Sequence, residues 1–321
     1  MKEFELIKTY FAEQIVTRRD VVVGIGDDCA IITPSEKQNI AITTDTLISG
    51  VHFPENTDAK AIGHKAIAVN LSDLAAMGAE PSWVSVAISL PSVDEDWVGD
   101  FCEGMFELCE FYNVQLIGGD TTQGPLSITV TAQGVVPPNK HLARSGAKAG
   151  DWIYVTGELG DAALALKHYY GDITINGEVL KTAMARLNQP KPKVLAGKAL
   201  REYASAAIDI SDGLLADLTH ICKASGVGAN IVLEDLPMSD ALSSAVDMEQ
   251  AIELALTGGD DYELLFTVSE DNKVGMETTL ADMGTKVTCI GQLNGNAKIT
   301  TTLNSKPAQI SSYGFEHFSN E

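Results

Sequence analysis

Apolar runs along this chain of 321 residues are interrupted by short polar stretches in which Asp sits beside Gly, Ser or Thr. The runs at 21–25, 39–44 and 83–90 are rich in β-branched residues and bounded by Gly or Pro, which predicts strands. Residues 59–77 carry Ala66, Ile67, Leu71 and Leu74 at helical spacing and stop at Gly78, which predicts a helix. A second helix is expected over 94–112, entered through Pro91-Ser92 and Asp94, then strands at 114–117 and 127–136. Pro137-Pro138-Asn139-Lys140 breaks the pattern. Beyond it, strands are expected at 151–156, 206–210, 228–233, 262–268 and 286–293, with helices at 162–169 and 214–225. The pattern predicts two domains of α/β (α+β) type, 1–137 and 151–321, joined by a linker over 138–150. There is no short-period repeat, although both halves carry a strand–Asp–helix theme.

The acidic interruptions carry the candidate chemistry. They are Gly26-Asp27-Asp28, Thr43-Thr44-Asp45-Thr46, Asn70-Leu71-Ser72-Asp73, Gly118-Gly119-Asp120-Thr121-Thr122, Asp209-Ile210-Ser211-Asp212-Gly213, Gly258-Gly259-Asp260-Asp261 and, more loosely, Gly160-Asp161. Buried carboxylates need a partner or a metal. Short Asp side chains beside glycines suit hard cations such as Mg²⁺, which take oxygen ligands and share them with phosphates. Individually, some have plainer readings. Gly26-Asp27-Asp28 suits a turn, Thr43-Thr44-Asp45-Thr46 an N-cap or hydroxyl turn, and Asp212 a helix cap. Asn70 and Asp73 share one face of a helix that is apolar nearly all round. That helix is expected to be buried, and its Asp to need a metal or a hydrogen-bond network. Gly118-Gly119 permits close backbone approach, with N–H groups available to a phosphate. Arg144 suits a phosphate or a surface ion pair, and His52 is equally open.

Composition narrows the field. The formal net charge is −22, which disfavours nucleic acid and anionic membrane surfaces as partners. A polyphosphate substrate remains compatible, because bound Mg²⁺ reverses the local field. The five cysteines form no C-x-x-C pair, as expected of reduced thiols in the cytoplasm. Met1-Lys2-Glu3-Phe4-Glu5 is acidic and not apolar, so no signal peptide is expected. There is no Walker A sequence, no complete G-x-G-x-x-G and no G-x-S-x-G elbow.

Taken together, the segments resemble the thiamine-monophosphate kinases, in the aminoimidazole-ribonucleotide-synthetase-like superfamily of ATP-dependent enzymes. The stretches that carry the resemblance run from Gly24-Ile25-Gly26-Asp27-Asp28-Cys29-Ala30 and Thr43-Thr44-Asp45-Thr46-Leu47 through Val69-Asn70-Leu71-Ser72-Asp73-Leu74-Ala75-Ala76-Met77-Gly78. They continue in Leu116-Ile117-Gly118-Gly119-Asp120-Thr121-Thr122, Ile208-Asp209-Ile210-Ser211-Asp212-Gly213-Leu214, Asp260-Asp261-Tyr262-Glu263-Leu264 and Tyr313-Gly314-Phe315-Glu316-His317-Phe318. The resemblance implies phosphorylation of thiamine monophosphate by ATP, the last step of thiamine diphosphate biosynthesis, by direct in-line transfer without a phosphoenzyme. It implies a two-domain fold and a homodimer whose N-terminal sheets form a shared barrel, with the active site between the domains.

Carried over by position, Asp28, Thr43, Thr44, Asp45, Asp73, Asp120, Asp209 and Asp212 are implied to hold several Mg²⁺ ions. Thr43 and Thr44 would act through backbone or hydroxyl oxygen. Gly119, Asp120, Arg144 and Ser211 are implied to contact ATP. His52, Asp260 and Phe315 are implied to contact thiamine monophosphate, although the family carries Glu where this chain has Asp260. Other members of the superfamily are the alternatives. A selenophosphate synthetase would be expected to carry a reactive Cys or selenocysteine near the N-terminus, and residues 1–19 contain no Cys. A non-catalytic nucleotide-binding regulator would be expected to have lost the metal carboxylates, all of which are present.

Overall fold

The computed structural model describes residues 2–308. These form two compact units. The first runs to Leu74 and resumes over Ala79–Asn139; the second comprises Ala75–Gly78 and the described chain from Lys140 onward.

The first unit opens with α1 (Glu3–Leu6), which continues as a wider helical turn over Ile7–Phe11. A two-stranded antiparallel ribbon follows, β1 (Val21–Val23) with β2 (Ile31–Ile32). Then come β3 (Asn39–Ile48), α2 (Ala59–Ala76), β4 (Glu80–Leu90), α3 (Glu95–Tyr112), β5 (Gln115–Gln123) and β6 (Ser127–Val136). The long strands form an open four-stranded sheet in the order β3-β6-β4-β5. Only β4 and β5 are parallel, because α3 carries the chain back across the sheet between them.

Helix α2 is buried almost throughout, with Ile67 and Leu71 fully enclosed. Truncating Leu71 to Ala is expected to cost ~2–5 kcal/mol. Two glycines let α2 and α3 cross in contact. A Cβ on Gly63 would lie 2.0 Å from the Phe101 carbonyl oxygen, and one on Gly104 would lie 1.9 Å from that of Lys60. Helix α3 starts where the Asp94 carboxylate accepts from the N–H groups of Asp96 and Trp97, at 3.1 and 3.2 Å. It ends on Asn113 in the left-handed conformation.

Two strands outrun their expected ends. β3 continues through Ile48 and β5 through Gln123, so the Thr43–Thr46 and Gly118–Thr122 motifs lie inside strands rather than after them. β-Branched threonines favour the extended chain, and cross-strand hydroxyl pairs fasten it. Thr44 pairs with Thr131 and Thr46 with Thr129, each at 2.9 Å. Gly119 continues β5 because its missing Cβ would come within 1.9 Å of the Val86 carbonyl oxygen.

The second unit contains β7 (Trp152–Thr156), α4 (Asp161–Tyr169), α5 (Gly177–Asn188), α6 (Val194–Leu200), β8 (Ala204–Asp209), α7 (Leu214–Ser225) and β9 (Gly228–Val232). These are followed by α8 (Asp240–Ala245), α9 (Met248–Thr257), β10 (Leu264–Val268), α10 (Glu270–Asp282), β11 (Val287–Asn294), β12 (Ile299–Leu303) and β13 (Lys306–Ala308). Its seven-stranded sheet has the order β13-β12-β9-β11-β7-β10-β8, antiparallel except between β12 and β9. The core joins Ile153, Val155, Ile208 and Leu265 from the strands to Leu215, Leu218 and Leu254 from α7 and α9. The expected linker is fastened to this unit: Leu142 and Ala147 are buried, and the Ala207 N–H donates to the Ala143 carbonyl at 2.9 Å. Both units are mixed α+β assemblies, and among the described residues neither sheet closes into a barrel.

Candidate functional site

Side chains alternate across a strand, so Thr43 and Asp45 project from one face of β3 and Thr44 and Thr46 from the other. The first face meets α2, where the Thr43 hydroxyl donates to the Asp73 carboxylate. Asp45 is pushed up to about 6, first by burial and second by the charge of Asp73. Two carboxylates therefore crowd one another in a partly buried place. Asn70, one helical turn before Asp73, is 1% exposed. Its amide nitrogen donates to the Ala66 carbonyl at 3.0 Å, while its Oδ1 is buried without a hydrogen-bond partner among the described residues. The Thr44 hydroxyl pairs with that of Thr131 across the exposed face at 2.9 Å.

A cleft of about 680 Å³ lies in the same unit. One side is the loop Gly24–Ala30, the other the β5 segment Gly118–Thr121, and Phe4, Ile7 and Phe11 add an apolar wall. The structure thus brings Asp28, Gly119 and Asp120 to one cavity. His52 lies in the turn after β3, where its Nδ1 accepts the Ile48 N–H at 3.0 Å. In the neutral ring the proton is therefore on Nε2.

In the second unit, β8 ends at Asp209, which is buried, and the chain turns through Ser211 and Asp212 into α7. The segment 258–263 is strapped along that turn. The Asp260 N–H donates to the Ser211 carbonyl at 2.9 Å, and the Tyr262 N–H to the Ile210 carbonyl at 2.8 Å. The Ile210 N–H returns to the Glu263 carbonyl at 2.8 Å. Gly259 permits the approach, since a Cβ there would sit 2.4 Å from the Ser211 oxygen. Asp260 and Tyr262 adopt left-handed φ values of 68° and 50°, a strain of about 1 kcal/mol or more at each. The strap therefore sets Asp260 beside Ser211 and Asp212. Arg144 is exposed, its carbonyl accepting the Ser225 hydroxyl at 3.1 Å. Phe315 lies outside the described residues.

Two residues at this turn were not singled out in the sequence. Asp217 is 2% exposed, and its Oδ2 accepts the N–H groups of Ser211 at 3.1 Å and Asp212 at 3.2 Å. Burial, then the neighbouring Asp212, raises its carboxyl to about 7. Its signal was an Asp at a core position of the amphipathic pattern Leu214, Leu218, Ile221. Tyr262 gave no signal of its own; its hydroxyl donates to Asp260 Oδ1 at 3.1 Å. Behind the strap, Glu263 accepts from the Thr156 hydroxyl at 2.6 Å and pairs with Lys193 at 3.0 Å. Burial raises its carboxyl, and Lys193 opposes the rise.

The donor set fits a hard divalent cation. It is all oxygen: Asp45 and Asp73 crowd one another, and one helical turn before Asp73 the buried Asn70 Oδ1 has no hydrogen-bond partner among the described residues. The fit is by pairs of ligands: among the described residues, no three His, Cys, Asp or Glu side chains gather as one metal centre.

Both units are of the AIR-synthase-related class. Residues 26–136 match the AIR synthase related protein N-terminal domain, and residues 148–304 match its C-terminal domain. The chain is similar to the thiamine-monophosphate kinase of Escherichia coli (strain K12), with 48% identity over 318 residues covering 98% of each chain. It is similar to the crystal structure of thiamine-monophosphate kinase from Stenotrophomonas maltophilia K279a, with a TM-score of 0.86 and 42% identity over 95% of this chain and 96% of that one. It also resembles AaThiL complexed with AMPPCP and TMP, with a TM-score of 0.78 and 30% identity over 98% and 96% of the two chains. Within that class, the chain belongs to the thiamine-monophosphate kinase family.

Proposed function

We propose that the protein transfers the γ-phosphoryl group of ATP to thiamine monophosphate, giving thiamine diphosphate and ADP. Kinship with thiamine-monophosphate kinases over 98% of both chains carries this reading. In the first unit, Gly119 and Asp120 contact ATP at the cleft they share with Asp28. Asp28 and Asp120 at that cleft, and Asp45 and Asp73 between β3 and α2, would hold Mg²⁺ ions, with Thr43 and Thr44 adding hydroxyl or backbone oxygen. In the second unit, Asp209 and Asp212 are metal ligands, and Ser211 and Arg144 contact the nucleotide. His52, Asp260 and Phe315 meet the acceptor.

Mg²⁺, when bound, screens the repulsion between the two phosphate-bearing substrates. The residues contribute alignment and fixed charge, which is most of what phosphoryl transfer requires. The acceptor phosphate, with a second pKa of about 6, is ionised near neutral pH. No side chain is needed as a strong base, and the transfer is direct and in line.

The protein acts as a homodimer. β3 is an edge strand of an open sheet, and Ile40, Ile42 and Ile48 on it are 41%, 67% and 41% exposed. A long apolar edge of this kind calls for a partner strand, and a second copy supplies it by joining the two sheets into a shared barrel. A cytoplasmic location accords with five free cysteines and with the absence, among the described residues, of a helix long and apolar enough to cross a membrane.

The deciding experiment incubates the purified protein with ATP, Mg²⁺ and thiamine monophosphate and separates the products. Thiamine diphosphate and ADP in equal amounts are expected; ADP without thiamine diphosphate refutes the reading.

A further inference from the structure

We propose that Tyr262 is a positioning residue for the acceptor: its hydroxyl fixes the orientation of the Asp260 carboxylate and so sets the KM for thiamine monophosphate. The inference rests on the reading that Asp260 meets that substrate. The main chain at Asp260 has little freedom. Backbone hydrogen bonds at Asp260 and Tyr262 tie it to Ser211 and Ile210, and Gly259 is pressed against the Ser211 carbonyl. What remains to be set is the rotation of the Asp260 side chain. Tyr262 acts on it by donating to Asp260 Oδ1 at 3.1 Å.

The Tyr262 ring is itself held, being 9% exposed, so the hydroxyl is delivered from a packed support. A buried ring with a polar tip is suited to this, because its two side-chain torsions are fixed by packing and the tip stays available. Both residues occupy left-handed backbone at φ 68° and 50°, and that bend brings the tyrosine tip back onto a carboxylate only two positions earlier. A hydrogen bond to an ionised group is stronger than a neutral one. It holds the carboxylate in one rotamer before the substrate arrives, and the cationic thiazolium ring of the acceptor then meets a charge that is already aimed.

The test is a kinetic double-mutant cycle on the full chain with Tyr262→Phe, Asp260→Asn and the double variant. Tyr262→Phe is expected to raise the KM for thiamine monophosphate roughly tenfold, with kcat and the KM for ATP near wild type and the melting temperature little changed. The double variant is expected to be no worse than Asp260→Asn alone, because the tyrosine acts through the aspartate. Tyr262→His, which keeps a ring and an N–H donor, should fall between wild type and Tyr262→Phe, and it carries the test if the phenylalanine variant does not fold. If Asp260→Asn raises the acceptor KM and Tyr262→Phe does not, the positioning role is overturned and Asp260's contact stands. If Asp260→Asn leaves that KM unchanged, the contact itself is wrong and both readings fall. Equal rises in both substrates' KM values with a lowered melting temperature would make Tyr262 purely structural and overturn the proposal.

Discussion

The Thr43 hydroxyl on β3 donates to the Asp73 carboxylate on α2, and that bond ties the exposed-edge strand to the most deeply buried helix of the first unit. Asp45, two residues along the same strand face, feels the Asp73 charge as a rise in its own pKa. Asp73→Asn is expected to lower the Asp45 pKa and, on the proposed reading, to remove a metal ligand together. Turnover should fall at least a hundredfold with circular dichroism unchanged, and Mg²⁺ binding measured by calorimetry should weaken. Near-normal turnover and Mg²⁺ affinity would take Asp73 out of the shell.

The metal-free protein should lose stability as pH rises from about 4 to about 7. Asp45 and Asp217 have folded-state values of about 6 and about 7 against an ordinary 3.8. The fold therefore favours their protonated forms, and the stability this allows is complete below the ordinary value and lost as pH climbs through the folded values. For Asp217 the shift corresponds to ~4 kcal/mol at most. Melting temperatures recorded from about pH 4 to about pH 8 should decline, and Asp217→Asn should flatten the decline. Added Mg²⁺ should raise the melting temperature more at the alkaline end, where Asp45 is ionised.

Asp217→Ala tests the same residue in another way. The Ser211 and Asp212 N–H groups lose their acceptor, at about 1–3 kcal/mol for each donor left buried. The KM for ATP should rise while Asp217→Asn, which keeps an acceptor oxygen, stays close to wild type. Equal kinetics in the two variants would mean that the turn holds its shape without Asp217.

Acceptor choice is a separate expectation. Thiamine monophosphate should be phosphorylated and free thiamine should not, since the attacking atom is a phosphate oxygen. Labelled γ-phosphate should never appear on protein quenched without acceptor. A trapped phosphoenzyme would replace in-line transfer with a two-step route.

Ile42→Lys addresses the dimer. A charge at the centre of the exposed β3 edge should yield a monomer by analytical ultracentrifugation, with the sheet intact by circular dichroism. A dimer that persists unchanged would put the interface elsewhere.

Much of this arrangement was legible in the sequence, for physical reasons that also mark where legibility stopped. Helix α2 was readable because its apolar residues repeat at helical spacing, and the pairing of Asn70 with Asp73 follows from the same geometry. Strand ends were misread where threonine and glycine look like turn residues. Thr44 and Thr46 extend β3 through partners on β6, which are remote in sequence. Helices α5, α6, α8, α9 and α10 went unread, although Gly177, Pro190, Pro192 and Pro237 punctuate that part of the chain. The strap between 258–263 and 210–211 depends on backbone hydrogen bonds that no side-chain pattern announces, so the adjacency of Asp260 to Ser211 became apparent only in three dimensions.

At the crossing of α2 and α3, Gly63 against the Phe101 carbonyl and Gly104 against the Lys60 carbonyl leave no room for a single added methyl group. In a screen for loss of function, substitutions at these glycines will score alongside changes to the carboxylates, although neither glycine presents a group to any substrate. Pushing α2 away from α3 moves Asp73 relative to Asp45 on β3. Tolerance to mutation in this protein will therefore map onto the helix crossing as sharply as onto the chemistry it supports.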